Sequence, residues 1–398
     1  MKEYKVLFIT AEPLEHWTSA NIRNLNLIEG LIACGCQVST LSTEIQANAQ
    51  GKGNIVPSEC KRYFVPLNEL HALMTQKQQS NPNALKKCVS GFKEAAYSLK
   101  KKFTIYDMRK MEVPNVDRVE ISEHFDLMIS SSDPKSAHLF AERLKQKHHN
   151  IADKWVQYWG DPFTGDISKG YIGSEKKLIN EEKRLLSLCD LAVYVSPLTA
   201  QYIQNKYADM AEKVFFTPIT YSQGRYFCPP INEKFLIGYF GDYTRRNRDI
   251  LPLYRAMNQL SDEYYLKIIG TSDVVLDVTD HVDVCTRMPA NELQQIEQAC
   301  NLRVCICNRS GTQIPGKIYH AAATNTPTLV ILDGECAEMI REYFGQFNRF
   351  YFCENNTDSI SAAINRIAET PDLQIQSNPV EAFSAKRVAQ SVIQRVYG

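Results

Sequence analysis

Gly311, Gly316 and Lys317, in the stretch NRSGTQIPGKIYHAAATNTPTLVI (308–331), have the spacing of a phosphate-binding P-loop. Such a loop wraps successive backbone N–H groups around a phosphate and needs a Ser or Thr hydroxyl for Mg²⁺ directly after the lysine. Ile318 stands where that hydroxyl belongs, and Pro315 removes one of the amide donors. The spacing is there without the triphosphatase chemistry, which leaves a lysine opening a helix after a strand. A second basic group, Arg245, Arg246, Asn247 and Arg248, follows a strand and a glycine turn in GYFGDYTRRNRDILPLYRAM (238–257). Guanidinium groups hold phosphate oxygens through paired bonds, and a glycine turn admits an anion close to the backbone. Each group alone also fits a solvated helix start. Two strand-to-helix junctions at one edge of a parallel sheet, however, can converge on a single diphosphate.

Other residues suit an acceptor. QYWGDPFTGD (157–166) places Asp161 after a strand end, with Asp166 five residues on. A carboxylate there can take the proton of an attacking hydroxyl, or simply fix the turn before Pro162. His16 and Trp17 follow the first strand and are candidates for acceptor contact or for packing. His320 lies three residues after Lys317, which puts the two side chains on one face of a helix.

The elements that must position these residues alternate along the chain. KVLFIT (5–10), QVSTLS (37–42), DLMISS (126–131), WVQYW (155–159), LAVYVS (191–196) and KVFFTP (213–218) read as strands, with helical patterns near 20–34, 134–147, 176–188 and 198–207. Near-continuous apolar strands between helices predict a parallel sheet covered on both faces. YSQGRYFCPPINEK (221–234) breaks the pattern with glycine and a double proline, and alternation then resumes in FLIGYFG, YYLKIIG, HVDVCT, LRVCIC and PTLVIL. The expected domains are residues 1–220 on the acceptor side, a linker over 221–234, a donor domain over 235–378 and a closing helix over 379–398. Two open sheets of this kind bind ligands at the carboxyl ends of their strands, so the default site is a cleft between them.

At 398 residues the chain is long enough for two cores, and 45 basic residues balance 45 acidic ones, which gives no reason to expect nucleic acid. Its 12 cysteines form no C-x-x-C pair, so no zinc site is expected, and reduced thiols suit a cytoplasmic protein. No apolar run reaches the roughly 18–20 residues of a membrane span, and the N-terminus lacks the features of a signal peptide. Residues 84–111 are rich in lysine and interleaved with aromatics, a composition that fits either a solvated helix or peripheral contact with the inner face of a membrane.

In order and spacing, these motifs resemble those of GT-B glycosyltransferases, specifically the family 4-like group. GYFG followed by the arginine cluster is similar to that group's "G-Y-x-G…R-x", and IPGKIYHAAATNTP to its "I-P-x-K-I-Y-E-Y-x-A-x-G-x-P". SSSDPKSAHLF with QYWGDPF is similar to its "S-S-x-P…H…L…D-x-x-D-P-W", and CDLAVYVS to its "A-D-x-V-x-V-S". The resemblance implies two Rossmann-like domains facing a central cleft. It also implies transfer of a sugar from a nucleotide-diphosphate sugar to a glycan or lipid-linked acceptor, retention at the anomeric carbon, and neither metal nor cofactor. Gly241, Arg245, Arg246, Ser310, Gly311, Thr312, Lys317 and His320 would bind the donor, and His16, Trp17 and Asp161 the acceptor. Arg246, Lys317 and Asp161 would act in catalysis.

The chain departs from the family pattern in three places. His320 replaces the glutamate that accepts from the ribose, Ser310 falls near where a further glutamate is usual, and the loop after the first strand, including Ser19 and Ala20, has no glycine pair. A ribose-accepting imidazole must be neutral, so with an ordinary pKa of about 6.5 donor affinity would fall between about pH 7.5 and 5.5. The departures also keep two alternatives open: a non-catalytic protein on the same shell that binds a sugar or a partner, and a nucleotide-sugar 2-epimerase.

Overall fold

The computed structural model describes residues 3–45, 53–68, 105–167, 174–228, 234–369 and 378–398. The chain divides into two compact units, Met1–Thr217 together with Val388–Gly398, and Pro218–Arg387.

The first unit is a seven-stranded sheet in the order β3-β2-β1-β4-β5-β6-β7. Its strands are β1 (Lys5–Ile9), β2 (Gln37–Thr43), β3 (Lys61–Val65), β4 (Phe125–Ser131), β5 (Ala152–Trp159), β6 (Leu191–Tyr194) and β7 (Val214–Phe216), and every pairing is parallel. Helices α1 (Ser19–Ala33), α2 (Ser136–Lys147), α3 (Glu175–Leu188) and α4 (Pro197–Lys206) cross between them. Local chemistry sets their ends. Thr18 caps α1 by accepting from the Asn21 amide, and Gly35 ends it at φ 85°, a conformation that glycine adopts without steric cost. Ser196 caps α4 with Pro197 in its first turn.

The second unit is a six-stranded parallel sheet in the order β10-β9-β8-β11-β12-β13. It comprises β8 (Phe235–Phe240), β9 (Tyr264–Ile269), β10 (Val282–Cys285), β11 (Leu302–Ile306), β12 (Thr328–Leu332) and β13 (Tyr351–Glu354). Helices α5 (Leu251–Met257), α6 (Ala290–Ala299), α7 (Gly316–Ala321), α8 (Ala337–Gly345) and α9 (Thr357–Glu369) cover it, and α10 (Ala385–Tyr397) carries the chain back to the first unit from Val388. Residues 221–227 pack on the second unit: the Arg225 amide donates to the Ala323 carbonyl at 2.7 Å and the Phe227 amide to Asn325 Oδ1 at 2.7 Å.

Both sheets share one winding rule. The chain starts in the middle, runs outward on one side, then returns to the middle and runs outward on the other. The direction reverses between β1 and β4 in the first unit and between β8 and β11 in the second. Sheets wound this way are open to ligands beyond the carboxyl ends of the strands flanking the reversal. The edge strands β3 and β13 are absent from the strands expected from sequence. KRYFV and YFCE are short, with charged or partly exposed residues, so neither shows the apolar run that marks a central strand.

Beside the reversal in the second unit, the chain segments leaving β8 and β9 approach closely. A Cβ on Gly270, at the end of β9, would lie 2.0 Å from the Gly241 carbonyl oxygen. Gly270→Ala is therefore expected to push the Gly241 turn aside at a cost of about 1–3 kcal/mol. An unchanged melting temperature together with an unchanged amide spectrum around Gly241 would contradict this.

Candidate active site

The basic residues singled out in the second unit gather at its reversal point. Gly241 and Asp242 follow β8, Gly270 and Thr271 follow β9, Arg287 follows β10, and Asn308 follows β11 with α7 close behind. Lys317, in the first turn of α7, runs beside Gly241: its Cγ is 3.8 Å from where a Cβ on that glycine would be. The lysine stem thus runs past the glycine with a gap that one methyl group would fill.

The loop after β8 and the loop after β11 are tied together. Arg248 Nε donates to Asn308 Oδ1 at 2.8 Å, and its Nη1 to the Asp242 carbonyl at 3.1 Å. The Arg309 amide donates to the Asn247 carbonyl at 2.9 Å and its Nη1 to the Arg245 carbonyl at 3.2 Å. Asn308 Nδ2 donates onward to the Gln313 carbonyl at 2.7 Å. Gly311 turns the second loop at φ 77°, in the left-handed region that favours glycine. Arg248 is thereby occupied in building the frame. Arg245 and Arg246 are exposed, and among the described residues their side chains have no hydrogen bond or ion pair. Ser310 is exposed on the neighbouring loop and Thr312 is half-buried there.

Close enough to act on Lys317 is an ion pair that sequence reasoning missed, the buried Arg303 through Nη2 with the half-buried Glu297 Oε1 at 2.5 Å, the guanidinium stacked over Phe240 at 5.5 Å. An arginine inside the apolar run LRVCIC was the available signal. Lys317 exposes part of its surface, yet its ammonium is held below the ordinary lysine range. Desolvation is the main cause and repulsion from Arg303 adds to it, while Glu297, Cys305 and Asp242 offset only part. A group in that position gains from an anion.

His320 is half-buried on α7, and burial, with repulsion from Lys317, Arg303 and Arg225, drives its pKa down to about 3. This overturns the expectation of a donor affinity that falls between pH 7.5 and 5.5, because the imidazole is neutral across that range. Donor affinity is expected to be flat there as far as His320 is concerned. The pH dependence moves to stability. His138 of the first unit, fully buried against Trp159, is also pushed down to about 3 by burial. Above the unfolded value of about 6.5 neither histidine favours unfolding. As pH falls from there towards 3, the unfolded chain takes up protons that the folded chain refuses, so stability declines over that window. Urea melts at pH 7.5, 6.5, 5.5 and 4.5 should show this decline, and it should be smaller in His320→Gln. Equal melts throughout would refute it.

In the first unit, the acceptor candidates lie at the carboxyl edge of the sheet. His16 and Trp17 follow β1. His16 Nδ1 sits 3.6 Å from Glu12 Oε1, its carbonyl accepts from Asn21 and Asn54, and Trp17 is 59% exposed. Ser19 and Ala20 open α1. Asp161 lies half-buried in the turn after β5, where it has an interaction partner of its own.

That turn is pinned from both sides. The fully buried Glu182 of α3 accepts from the amides of Phe163 at 2.7 Å and Thr164 at 3.2 Å, from the Thr164 hydroxyl, and from the Tyr207 hydroxyl at 3.0 Å. Lys206 Nζ donates to Thr164 Oγ1 at 2.6 Å. On the other side, the buried Lys135 bridges Asp133 at 3.0 Å and Asp166 at 3.1 Å. Asp166 is thus part of the scaffold that sets Asp161. The basic stretch 84–111 falls largely outside the described residues. Among those described, no helix is long and apolar enough to cross a membrane.

The sequence matches no family model and no curated protein. Solved structures do match. A point mutant of TarM from S. aureus, in complex with fondaparinux, alpha-GlcNAc-glycerol and UDP, superposes with a TM-score of 0.60 at 11% identity, over 99% of this chain and 100% of that one. Sucrose-phosphate synthase from Thermosynechococcus elongatus superposes with a TM-score of 0.58 at 16% identity, over 98% of both chains. The fold is GT-B. A putative UDP-N-acetylglucosamine 2-epimerase from Listeria monocytogenes has the same architecture, with a TM-score of 0.52 at 8% identity over 99% of this chain and 96% of that one. In this GT-B chain the reversal of the second sheet, the glycine turn and the basic loops coincide in one place.

Proposed function

We propose that the protein transfers a sugar from a nucleoside diphosphate sugar to a glycan or lipid-linked acceptor. The observation that carries this reading is the pair of tied loops at the reversal of the second sheet: the loop leading from Gly241 bears Arg245 and Arg246, and the other leads into Lys317, whose stem runs beside Gly241. A departing nucleoside diphosphate gains negative charge as its bond to the sugar breaks, and fixed cations lower the barrier by stabilising that charge. In this reading the three cations take the role of a divalent ion, so that the reaction needs no metal, and the resemblance to the family 4-like group favours retention at the anomeric carbon. Asp161, with His16 and Trp17, orients the acceptor.

The test begins with thermal shifts against UDP, GDP and ADP, since a ligand that binds only the folded chain stabilises it by mass action. One of them at millimolar concentration should raise the melting temperature. The matching nucleotide sugar, incubated with acceptors in EDTA, should then give product of retained configuration. No shift with any of the three would favour a non-catalytic protein on the same fold, a reading that His320 and Ser310 in place of glutamates also support. Conversion of the sugar without any acceptor would instead identify an epimerase, the reading supported by the Listeria neighbour.

A further inference from the structure

An acidic residue stands where a diphosphate is proposed to bind. Asp242 directly follows Gly241, the glycine against which Lys317 lies, and its charge registers at the Lys317 ammonium. A carboxylate so placed repels phosphate. Both of its oxygens are held: Oδ1 accepts from the Thr271 amide at 2.9 Å and from Arg287 Nε at 3.1 Å, and Oδ2 accepts from Arg287 Nη2, while the residue's backbone carbonyl accepts from Arg248 at 3.1 Å. The two-bond grip of Arg287 fixes the carboxylate's direction as well as opposing its charge.

We infer that Arg287 is a positioning residue of the phosphate site, neutralising Asp242 and holding it turned towards the ends of β9 and β10 so that Lys317, Arg245 and Arg246 face the anion unopposed. The inference rests on the diphosphate reading above. Side-chain exposures of 72% for Arg287 and 41% for Asp242 mean that the pair adds little to folding, so its effect is read in binding. Burial pushes the Asp242 carboxyl up, but the Arg287 and Thr271 hydrogen bonds and the charges of Arg287 and Arg248 outweigh it and leave it below its ordinary value, consistent with a carboxylate kept ionised and paired.

The experiment is a double-mutant cycle read by calorimetric titration with inorganic pyrophosphate, with melting temperatures checked for each variant. Arg287→Ala exposes an uncompensated carboxylate and should weaken pyrophosphate binding about tenfold, the scale of one partly screened like charge several ångströms away. Asp242→Asn alone should bind as tightly as the unaltered protein or more tightly. The double variant should return to within about threefold of it, and Arg287→Lys should retain most of the affinity. If Arg287→Ala binds like the unaltered protein, the inference fails while the diphosphate reading stands. If the double variant stays as weak as Arg287→Ala, Arg287 touches the phosphate itself and the inference again fails. If the unaltered protein binds no pyrophosphate, the diphosphate reading falls and this inference with it.

Discussion

Glu182→Ala is expected to destabilise the first unit by about 3–5 kcal/mol, the range for removing one member of a buried charged network. Glu182 is fully buried and accepts from two backbone amides, a threonine hydroxyl and a tyrosine hydroxyl, with Lys206 Nζ 4.0 Å away. Alanine would leave the Phe163 and Thr164 amides without an acceptor, and nothing nearby replaces it. Glu182→Gln keeps an oxygen for the amides and should cost less. The readout is built into the chain: its three tryptophans, Trp17, Trp155 and Trp159, all lie in the first unit, so fluorescence-detected urea unfolding reports that unit alone. A loss below about 1 kcal/mol for the alanine variant would mean that the turn carrying Asp161 is held by Lys135 and Asp166 without help from α3.

Lys317→Ala should weaken nucleoside diphosphate binding by about 1.5–3 kcal/mol, the range for hydrogen bonds involving a charged group. Lys317 has one side against Gly241, and its ammonium is partly desolvated beside Arg303, so an anion recovers interaction that water does not supply. Folding should be little affected, because removing a cation beside Arg303 also removes repulsion. Arg246→Ala should also weaken binding, since Arg246 is exposed on the loop that leads from Gly241. Equilibrium titration with the nucleoside diphosphate that gives the largest thermal shift separates the outcomes. Equal affinity in Lys317→Ala and the unaltered protein would remove Lys317 from the phosphate site.

Much of the architecture could be read directly from the chain. Runs such as KVLFI, VYVS, LRVCI and TLVIL are apolar at nearly every position because a central parallel strand is covered on both faces, and that burial leaves a strong local signature. Strand, glycine turn, arginines and helix in 238–257, and Lys317 at the head of α7, were legible for the same reason: each is a local arrangement whose chemistry follows from residue type. The edge strands β3 and β13 were not: KRYFV opens on two charges and YFCE is only four residues long, so neither gives an extended apolar run.

Pairings distant in sequence required the fold. Nothing in the order of residues shows that Arg248 is bound to Asn308, 60 positions away, while Arg245 and Arg246 point outward, and all three arginines look equivalent on the page. Nothing shows that Gly270 meets Gly241, or that Asp242 meets Arg287 across 45 residues. His320 illustrates the reason. Its residue type gives a pKa near 6.5, but the folded value is set by burial, by Lys317 on the same helix, and by Arg303 and Arg225, which the fold brings in from two distant segments. Local sequence determined which elements form and which residues could hold an anion. Only the tertiary structure decided which of those residues build the frame and which face solvent, because charge and hydrogen bonding act through space and chain order does not record those distances.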